Sequence, residues 1–399
     1  MTALDSLKAI ARNPTSVARE WKEAGGKIIG YRCLYIPEEI IWAAGGLPHP
    51  LYGTPEPVVK ADAYFQTCSC ELVRNLFDHA LNGDFDFLDG LAVANTCDVV
   101  RRLFDMWEHH RAHIPVTLLN NPQRLKNPDN REYYMEELRR FKTWVENLTG
   151  NRVTDEKLRE AIDAHDHRRT LLGDIWTLRE NDPPAIKGSD ALEVALAASA
   201  LPVDRANELL EELLDELEAE EPGDEGDDGP RILVTGSLLD HPALIRMVED
   251  VGGVVVAEDL CTTTRLFWHR IADASANPSA DPSAEGSTDP DTFNETLSTE
   301  VDPLEAIWAN LNRRPLCACF HPTEARHDFV LELVETFAVD AVLNFSLKYC
   351  HPFTYEAPLL KKTLAKENIP YTNLEVGHDL SGHGQLRTRI QAFIEMVES

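Results

Sequence analysis

The residues best suited to chemistry in this sequence are its eight cysteines: Cys33, Cys68, Cys70, Cys97, Cys261, Cys317, Cys319 and Cys350. Four of them follow short apolar runs that read as strands. Cys33 follows Lys27 to Tyr31 (KIIGY), Cys97 follows Leu88 to Ala94 (LDGLAVA), Cys261 follows Val254 to Ala257, and Cys350 follows Ala341 to Phe345. In open α/β sheets, ligands bind at the carboxyl ends of strands. Cysteines at four such ends, drawn from both halves of the chain, suggest a site in a cleft between two α/β domains. Cys68-Ser69-Cys70 and Cys317-Ala318-Cys319 add two close pairs.

The spacings narrow what such a site would hold. The C-x2-C pair typical of tetrahedral zinc and of thioredoxin-type redox centres is absent. Copper(II) and hard cations prefer other ligands. Iron–sulfur clusters are held by thiolates, which can come from distant parts of a chain. A cluster with only three protein cysteines leaves one iron open to substrate or solvent, and so permits chemistry beyond electron storage. The opposing reading is that free cysteine often behaves as a small buried hydrophobe. Under that reading the chain is a non-catalytic structural subunit whose thiols bind nothing. Zinc storage or a zinc hydrolase is a further alternative.

The elements that must position these thiols read as strands and helices in alternation. After the strand 27–31, Pro37 opens a helix that stops at Gly45-Gly46, since proline suits a first helical turn. Glu71 to Leu81 is amphipathic, with Leu72, Val73, Leu76, Phe77 and Ala80 at helical spacing. The strand 88–94, a helix Asp98 to His110 and a strand Ile114 to Leu119 follow. The middle is helical, over Asn130 to Leu148, Thr154 to Arg179 and Asp204 to Glu221. The run DEGDDG at 224–229 reads as a solvated linker.

A second alternating region begins at Pro230. It has strands at Arg231 to Thr235, Val254 to Ala257, Ala341 to Phe345 and Tyr371 to Leu374. Its helices are Pro242 to Val251, Glu324 to Phe337, Tyr355 to Lys366 and Gly384 to Val397. The Ser/Pro/Asp/Ala-rich stretch 274–300 reads as a flexible surface insertion. The expected fold is α/β, with two parallel-sheet (Rossmann/flavodoxin-like) domains joined by helices. The expected division is 1–125, a helical segment 126–222, and 223–399 with the insertion inside it.

Composition adds mostly exclusions. Lys+Arg is 38 against Asp+Glu 68, a net charge of −30, which is the wrong sign for a protein that tracks nucleic-acid phosphates or an anionic membrane surface. No run approaches the roughly 18 apolar residues of a membrane helix, and no secretory signal pattern opens the chain. The expectation is a cytoplasmic protein with reduced thiols and no nucleic-acid or membrane partner. No P-loop, G-x-G-x-x-G, G-x-S-x-G or H-E-x-x-H occurs, although Gly236 follows a strand in TGSLLDHP. His109, His110 and His113 read as surface residues, and Trp107 and Trp144 as core. Arg101 and Arg102 read either as a salt-bridged helix face or as a binder of phosphate or a charged cluster.

Several blocks together resemble the 2-hydroxyacyl-CoA dehydratase and benzoyl-CoA reductase subunit family. Gly30-Tyr31-Arg32-Cys33-Leu34-Tyr35-Ile36-Pro37-Glu38-Glu39-Ile40 with Ala43-Ala44-Gly45 is similar to its N-terminal signature. Ala61 to Arg74 and Asn95-Thr96-Cys97-Asp98 with Arg101-Arg102-Leu103 resemble the next blocks. Val234-Thr235-Gly236-Ser237, Asp259-Leu260-Cys261-Thr262, Cys317-Ala318-Cys319, Lys348-Tyr349-Cys350 and Gln385-Leu386-Arg387-Thr388-Arg389 follow in the same order and with similar spacing. The resemblance covers nearly the whole chain outside 274–300, and the Cys97 and Cys350 blocks look more like the benzoyl-CoA reductase side.

The resemblance implies an oxygen-sensitive [4Fe-4S] cluster between two α/β domains, with Cys33, Cys97 and Cys350 as ligands. It implies a related or identical partner subunit, a separate ATP-hydrolysing iron–sulfur activator that supplies single low-potential electrons, and a CoA-thioester substrate. That division of labour accounts for the missing P-loop. The family's double-cubane branch implies instead an [8Fe-9S] cluster that reduces small molecules, with Cys70, Cys261, Cys317 and Cys319 as added ligands. The phosphates of a CoA substrate would need a local basic patch, for which Arg101, Arg102, Lys348, Arg387 and Arg389 are candidates. Glu38 and Glu39 read as first-turn capping carboxylates. His351 reads as a proton donor or a structural turn residue.

Overall fold

The computed structural model describes residues 1–124, 127, 129–219, 229–276, 296–380 and 383–399. The first half contains α1 (Ala3–Arg12), α2 (Pro14–Glu23), β1 (Lys27–Arg32), α3 (Glu38–Ala43), β2 (Gly46–Pro50), α4 (Glu71–Asn82), β3 (Gly90–Ala94), α5 (Asp98–His110) and β4 (Val116–Leu119). Four helices follow: α6 (Asp129–Thr149), α7 (Asp155–Thr177), α8 (Gly188–Ala200) and α9 (Val203–Ala219). The second half runs β5 (Arg231–Gly236), α10 (Ala243–Glu249), β6 (Val254–Asp259), α11 (Thr264–Phe267), α12 (Ile271–Ala276), α13 (Pro303–Arg313), α14 (Glu324–Thr336), β7 (Ala341–Leu347), α15 (His351–Lys366), β8 (Tyr371–Val376) and α16 (His383–Val397).

The strands form two four-stranded, all-parallel sheets, ordered β2-β1-β3-β4 and β6-β5-β7-β8. The α/β expectation holds, and both orders follow the flavodoxin-type 2-1-3-4 pattern. Strands covered on both faces read as unbroken apolar runs. β3, β6 and β7 are buried along their whole length, which is why they are legible in the sequence. In each sheet the strand order reverses between the first and third strands. Their carboxyl ends therefore flank an open crevice, at β1/β3 in one sheet and β5/β7 in the other.

Six helices lie outside the expected set: α1, α2, α8, α11, α12 and α13. α8 is buried on every side, so it shows no amphipathic period. It packs against edge strand β2 of one sheet and edge strand β6 of the other. β2 also lies outside the expected set, because its sequence GLPHP carries two prolines. Proline lacks the N–H for a central ladder, and β2 is an edge strand. The linker at 224–228 and the bulk of the insertion lie outside the described residues. The insertion's far flank is anchored: Leu297 is buried and donates its N–H to Asp163 Oδ1 at 3.1 Å.

Buried ion pairs join the helices to the sheets. Glu38 and Glu39 are not capping groups, contrary to the expectation. They are buried and pair with Arg168 and Arg169 of α7, and Arg169 also holds Asp166. Glu258 near the end of β6 holds Arg179 and accepts from Trp176 Nε1 at 3.0 Å. Asp259 bridges Arg265 and Arg326, and Arg326 also pairs with Glu356.

Candidate metal centre

The two sheets present their carboxyl ends toward the same region, and seven of the eight cysteines meet there. Cys33 follows β1, Cys97 is the residue before α5 at the end of β3, Cys261 follows β6, and Cys350 is the residue before α15 after β7. Cys70 precedes α4, and Cys317 and Cys319 lie in the loop between α13 and α14. The sulfurs form one linked group. Cys350 bonds Cys70, Cys319 bonds Cys97 and Cys317, and Cys317 bonds Cys261. Cys33 lies within electrostatic range of Cys317 and Cys261. Cys97 likewise feels Cys70 and Cys350, which joins the two ends of the group. Cys68 is left out: it is exposed, and its sulfur faces Gln66 Oε1 at 3.7 Å.

Burial and mutual contact split the thiols into two kinds. Burial, aided by Cys317, pushes the Cys33 thiol up to about 11. Hydrogen bonds from Cys350, Cys319 and Cys261 hold Cys70, Cys97 and Cys317 below the usual thiol range. Their donors, Cys350, Cys319 and Cys261, are raised in turn. All eight cysteines are free thiols.

The protein around the thiols is held rigidly. Arg265, fixed by Asp259 Oδ1 at 2.7 Å and the Gly236 carbonyl at 3.0 Å, donates from Nη1 to Cys261 Sγ at 3.4 Å. The Cys317 N–H donates to Tyr35 Oη at 3.1 Å. Ser237 bonds the Cys350 thiol and accepts the Leu347 N–H at 3.0 Å. Gly236 makes this packing possible. Its φ is +140°, and a Cβ there would lie 1.9 Å from the Phe345 carbonyl oxygen. Cys33 has φ +90° and Tyr349, beside Cys350, has φ +64°. Non-glycine residues seldom adopt such angles, and where they do they cluster at functional sites.

The donor set fits an iron–sulfur cluster better than a single ion. Zinc–thiolate bonds of about 2.3 Å would bring tetrahedral sulfurs to roughly 3.8 Å from one another. Among the described residues no three thiols lie mutually within 4.8 Å; the one group that does is Asp240, His241 and His378. The thiols instead run in a chain of pairs.

Asp240 and His378 belong to a clasp across the crevice. Asp240, after β5, accepts the Gly53 N–H at 2.7 Å, while Glu71, the first residue of α4, accepts the His378 N–H at 2.7 Å. Each half of the chain thus caps a backbone donor of the other. His378 Nε2 and Asp240 Oδ1 are 3.0 Å apart.

Other sequence candidates fall outside this group. Arg102 pairs with Asp98 and Asp105, and Arg387 with Asp250, which is the structural reading for both. Arg101 donates to Asn95, Arg389 donates to the Asn373 carbonyl, and Lys348 is exposed. His351 is exposed and stacks on Tyr355 at 5.8 Å. His109, His110 and His113 are exposed, and Trp107 is fully buried. Sequence reasoning misses Tyr35, Ser237, Arg265 and the Asp240–His378 clasp. Ser237 and Asp240 stand in the TGSLLDHP motif, which follows a strand but lacks the glycines of a nucleotide fingerprint, so it gives no signal of its own.

An α/β protein with two parallel sheets facing a shared crevice of thiols is a defined class, and comparison with known proteins specifies it further. The profile of the 2-hydroxyglutaryl-CoA dehydratase D-component family matches residues 33–397, and the chain belongs to that family. It is similar to the (R)-phenyllactyl-CoA dehydratase beta subunit of Clostridium sporogenes, with 27% identity over 397 residues covering 98% of both chains. A benzoyl-CoA reductase subunit of Thauera aromatica is 27% identical over 395 residues, 96% of this chain and 94% of the relative. The (R)-2-hydroxyglutaryl-CoA dehydratase subunit beta of Acidaminococcus fermentans is 24% identical over 396 residues, 99% and 98%. The sequence resemblance is thereby established. No helix among the described residues is long and apolar enough to cross a membrane.

Proposed function

We propose that this chain is the cluster-bearing subunit of a cytoplasmic, low-potential reductase or dehydratase, and that it holds an [8Fe-9S] double-cubane cluster rather than one [4Fe-4S] cubane. The observation that carries this reading is the number of thiols. One cubane takes at most four cysteines, whereas seven are gathered here, six of them in hydrogen-bonded contact and Cys33 within electrostatic range. Cys33, Cys97 and Cys350 would hold iron in either form. A sulfide that bridges two cubanes leaves six irons for thiolates, so at least two of Cys70, Cys261, Cys317 and Cys319 have a use in the larger form only, and one of the seven thiols stands outside its ligand set. When bound, such a cluster supplies single electrons at low potential.

The chain's own residues prepare the crevice for that role. Cys70, Cys97 and Cys317 are held toward the thiolate form that iron binds. Arg265 and Ser237 orient Cys261 and Cys350, and Tyr35 fixes the backbone of Cys317. The clasp of Asp240 and Glu71 keeps the two halves in contact. The missing P-loop leaves ATP hydrolysis to a separate iron–sulfur activator. Relatives named as beta subunits support a related partner subunit.

The chain is a subunit of the 2-hydroxyacyl-CoA dehydratase / benzoyl-CoA reductase type, whose members are named for CoA thioesters, and this supports the second reading, a single-cubane subunit acting on a CoA thioester. Arg101, Arg389 and Lys348 are then the cations left for its phosphates. Iron and acid-labile sulfide per chain after strictly anaerobic purification separate the readings. About eight irons support the double cubane and small-molecule substrates, and about four support the CoA-thioester enzyme. No iron, even after reconstitution, refutes both.

A further inference from the structure

Eight arginines are buried among the described residues. Seven of them hold a carboxylate within 4.0 Å: Arg74, Arg168, Arg169, Arg179, Arg265, Arg270 and Arg326. The eighth is Arg32. It is 7% exposed, and its partner is the Leu51 carbonyl, reached by Nη1 at 3.4 Å. Among the described residues no carboxylate pairs with it, although the chain carries 68 acidic side chains. A buried charge costs several kcal/mol unless an opposite charge and hydrogen bonds compensate it. Arg32 therefore lacks the carboxylate partner that the other seven buried arginines have.

Its position says which anion would complete it. Arg32 ends β1, immediately before the positive-φ residue Cys33, at the carboxyl edge of the first sheet. Its guanidinium lies within electrostatic range of both the Cys33 and the Cys70 sulfurs. These two thiols belong to different ends of the linked group. Cys33 lies by Cys317 and Cys261, and Cys70 by Cys350. The Cys261 side already has a cation in Arg265. Arg32 supplies one on the Cys33–Cys70 side.

We infer that Arg32 is a positioning residue whose counter-ion is the anionic, thiolate-ligated cluster itself, so that its charge is compensated only in the loaded protein. The inference rests on the cluster reading above. It makes the metal-free state carry a buried unpaired cation and the loaded state a paired one. A substitution at Arg32 should then act with opposite sign in the two states, as a merely structural arginine would not.

The test uses the full chain with Arg32→Met and Arg32→Lys. In the metal-free protein, Arg32→Met should melt at or above the wild-type temperature, because an unpaired buried charge is removed. After anaerobic reconstitution with ferrous iron and sulfide, Arg32→Met should retain less iron. The cluster it retains should accept electrons at least tenfold less readily, which is about 59 mV lower for a one-electron couple. Arg32→Lys should restore both properties in large part. A metal-free Arg32→Met protein that melts well below wild type overturns the inference in favour of a structural role. Unchanged iron content and potential in Arg32→Met also overturn it, and leave the cluster reading standing. Stabilisation of metal-free wild type, but not Arg32→Met, by inorganic phosphate, with the loaded potential unchanged, overturns it in favour of a small-anion site. Wild type that binds no iron overturns both readings together.

Discussion

Replacing Gly236 by alanine tests whether the strand ends are packed as tightly as the site requires. Gly236 pairs with Phe345 across β5 and β7, at φ +140°. An added Cβ would meet the Phe345 carbonyl oxygen at 1.9 Å and its carbonyl carbon at 2.9 Å. Both are backbone atoms, so no side chain can swing aside. Holding alanine in a glycine-only region costs about 1–3 kcal/mol. Forcing the strands apart adds about 1–3 kcal/mol, the usual cost of overpacking. The sum is a loss of about 4 kcal/mol in unfolding free energy. The displaced strand end also carries the carbonyl that fixes Arg265 and the hydroxyl of Ser237 that bonds Cys350. Equilibrium urea unfolding of metal-free protein, followed by tryptophan fluorescence, reads the stability, and iron retention after reconstitution reads the site. Gly173→Ala serves as the control. Gly173 lies within α7 with nothing near its Cβ position, so alanine there should stabilise by about 0.5–1 kcal/mol. A Gly236→Ala protein within about 1 kcal/mol of wild type and with full iron would refute the reasoning, since overpacking alone should exceed that.

Cys317 bonds both Cys261 and Cys319, so Cys317→Ser should lose about half of the roughly eight irons expected for a double cubane. Cys68→Ser, at the exposed thiol outside the group, should lose none, and colorimetric iron assays on both variants decide the point. Glu258→Gln leaves Arg179 buried without its partner, both side chains being fully inaccessible, and should destabilise by about 3–5 kcal/mol in urea unfolding. The Asp240–His378 clasp should give a bounded pH response. Burial pushes the Asp240 carboxyl up, but His378 and the Gly53 N–H outweigh it and hold it well below the carboxylate range. Burial pushes His378 down, but Asp240 outweighs it and raises the imidazole. The Asp240 contribution is present above its unfolded value of about 3.9 and is lost as pH falls through the folded value. The His378 contribution is complete below about 6.5 and is lost as pH rises through its raised value. The stability gap between wild type and Asp240→Asn should therefore be widest between about pH 4 and 6.5; a gap that is flat from about pH 5 to 9 would contradict the clasp.

The parts of this protein legible in its sequence share a physical cause. Parallel strands covered on both faces are largely apolar, so β3, β6 and β7 stand out despite the buried Glu258, Asp259, Asn344 and Ser346, and the cysteines after them point to the crevice. The bounds of α5 are legible because an acidic first turn follows Cys97 and histidines fill the last turn. α8 is hidden because total burial removes the polar face that gives a helix its period. β2 is hidden because its prolines suit only an edge, and no sequence pattern says which strand will be an edge. Cys70, Cys317 and Cys319 stand at no strand end, so only the family resemblance gives them a role. Arg32 reads in the sequence as part of a signature block and not as an anomaly. What sets it apart is a missing partner, and a missing partner is a property of three-dimensional packing.

The order in which the thiols occur along the chain bears on how the protein is made. Cys33, Cys70 and Cys97 belong to the first sheet's half, and Cys261, Cys317, Cys319 and Cys350 to the second's. During synthesis the early three precede all of their later partners by more than 150 residues. At a translation rate of about 5–20 residues per second, that gap lasts roughly 10–30 s. Through that interval the first three thiols stay open to oxidants and stray metals, because the sheet that will close over them does not yet exist. Cys350, whose thiol holds Cys70, arrives last of all. A group that needs thiols from both halves could therefore be held only by the chain after Cys350 has emerged.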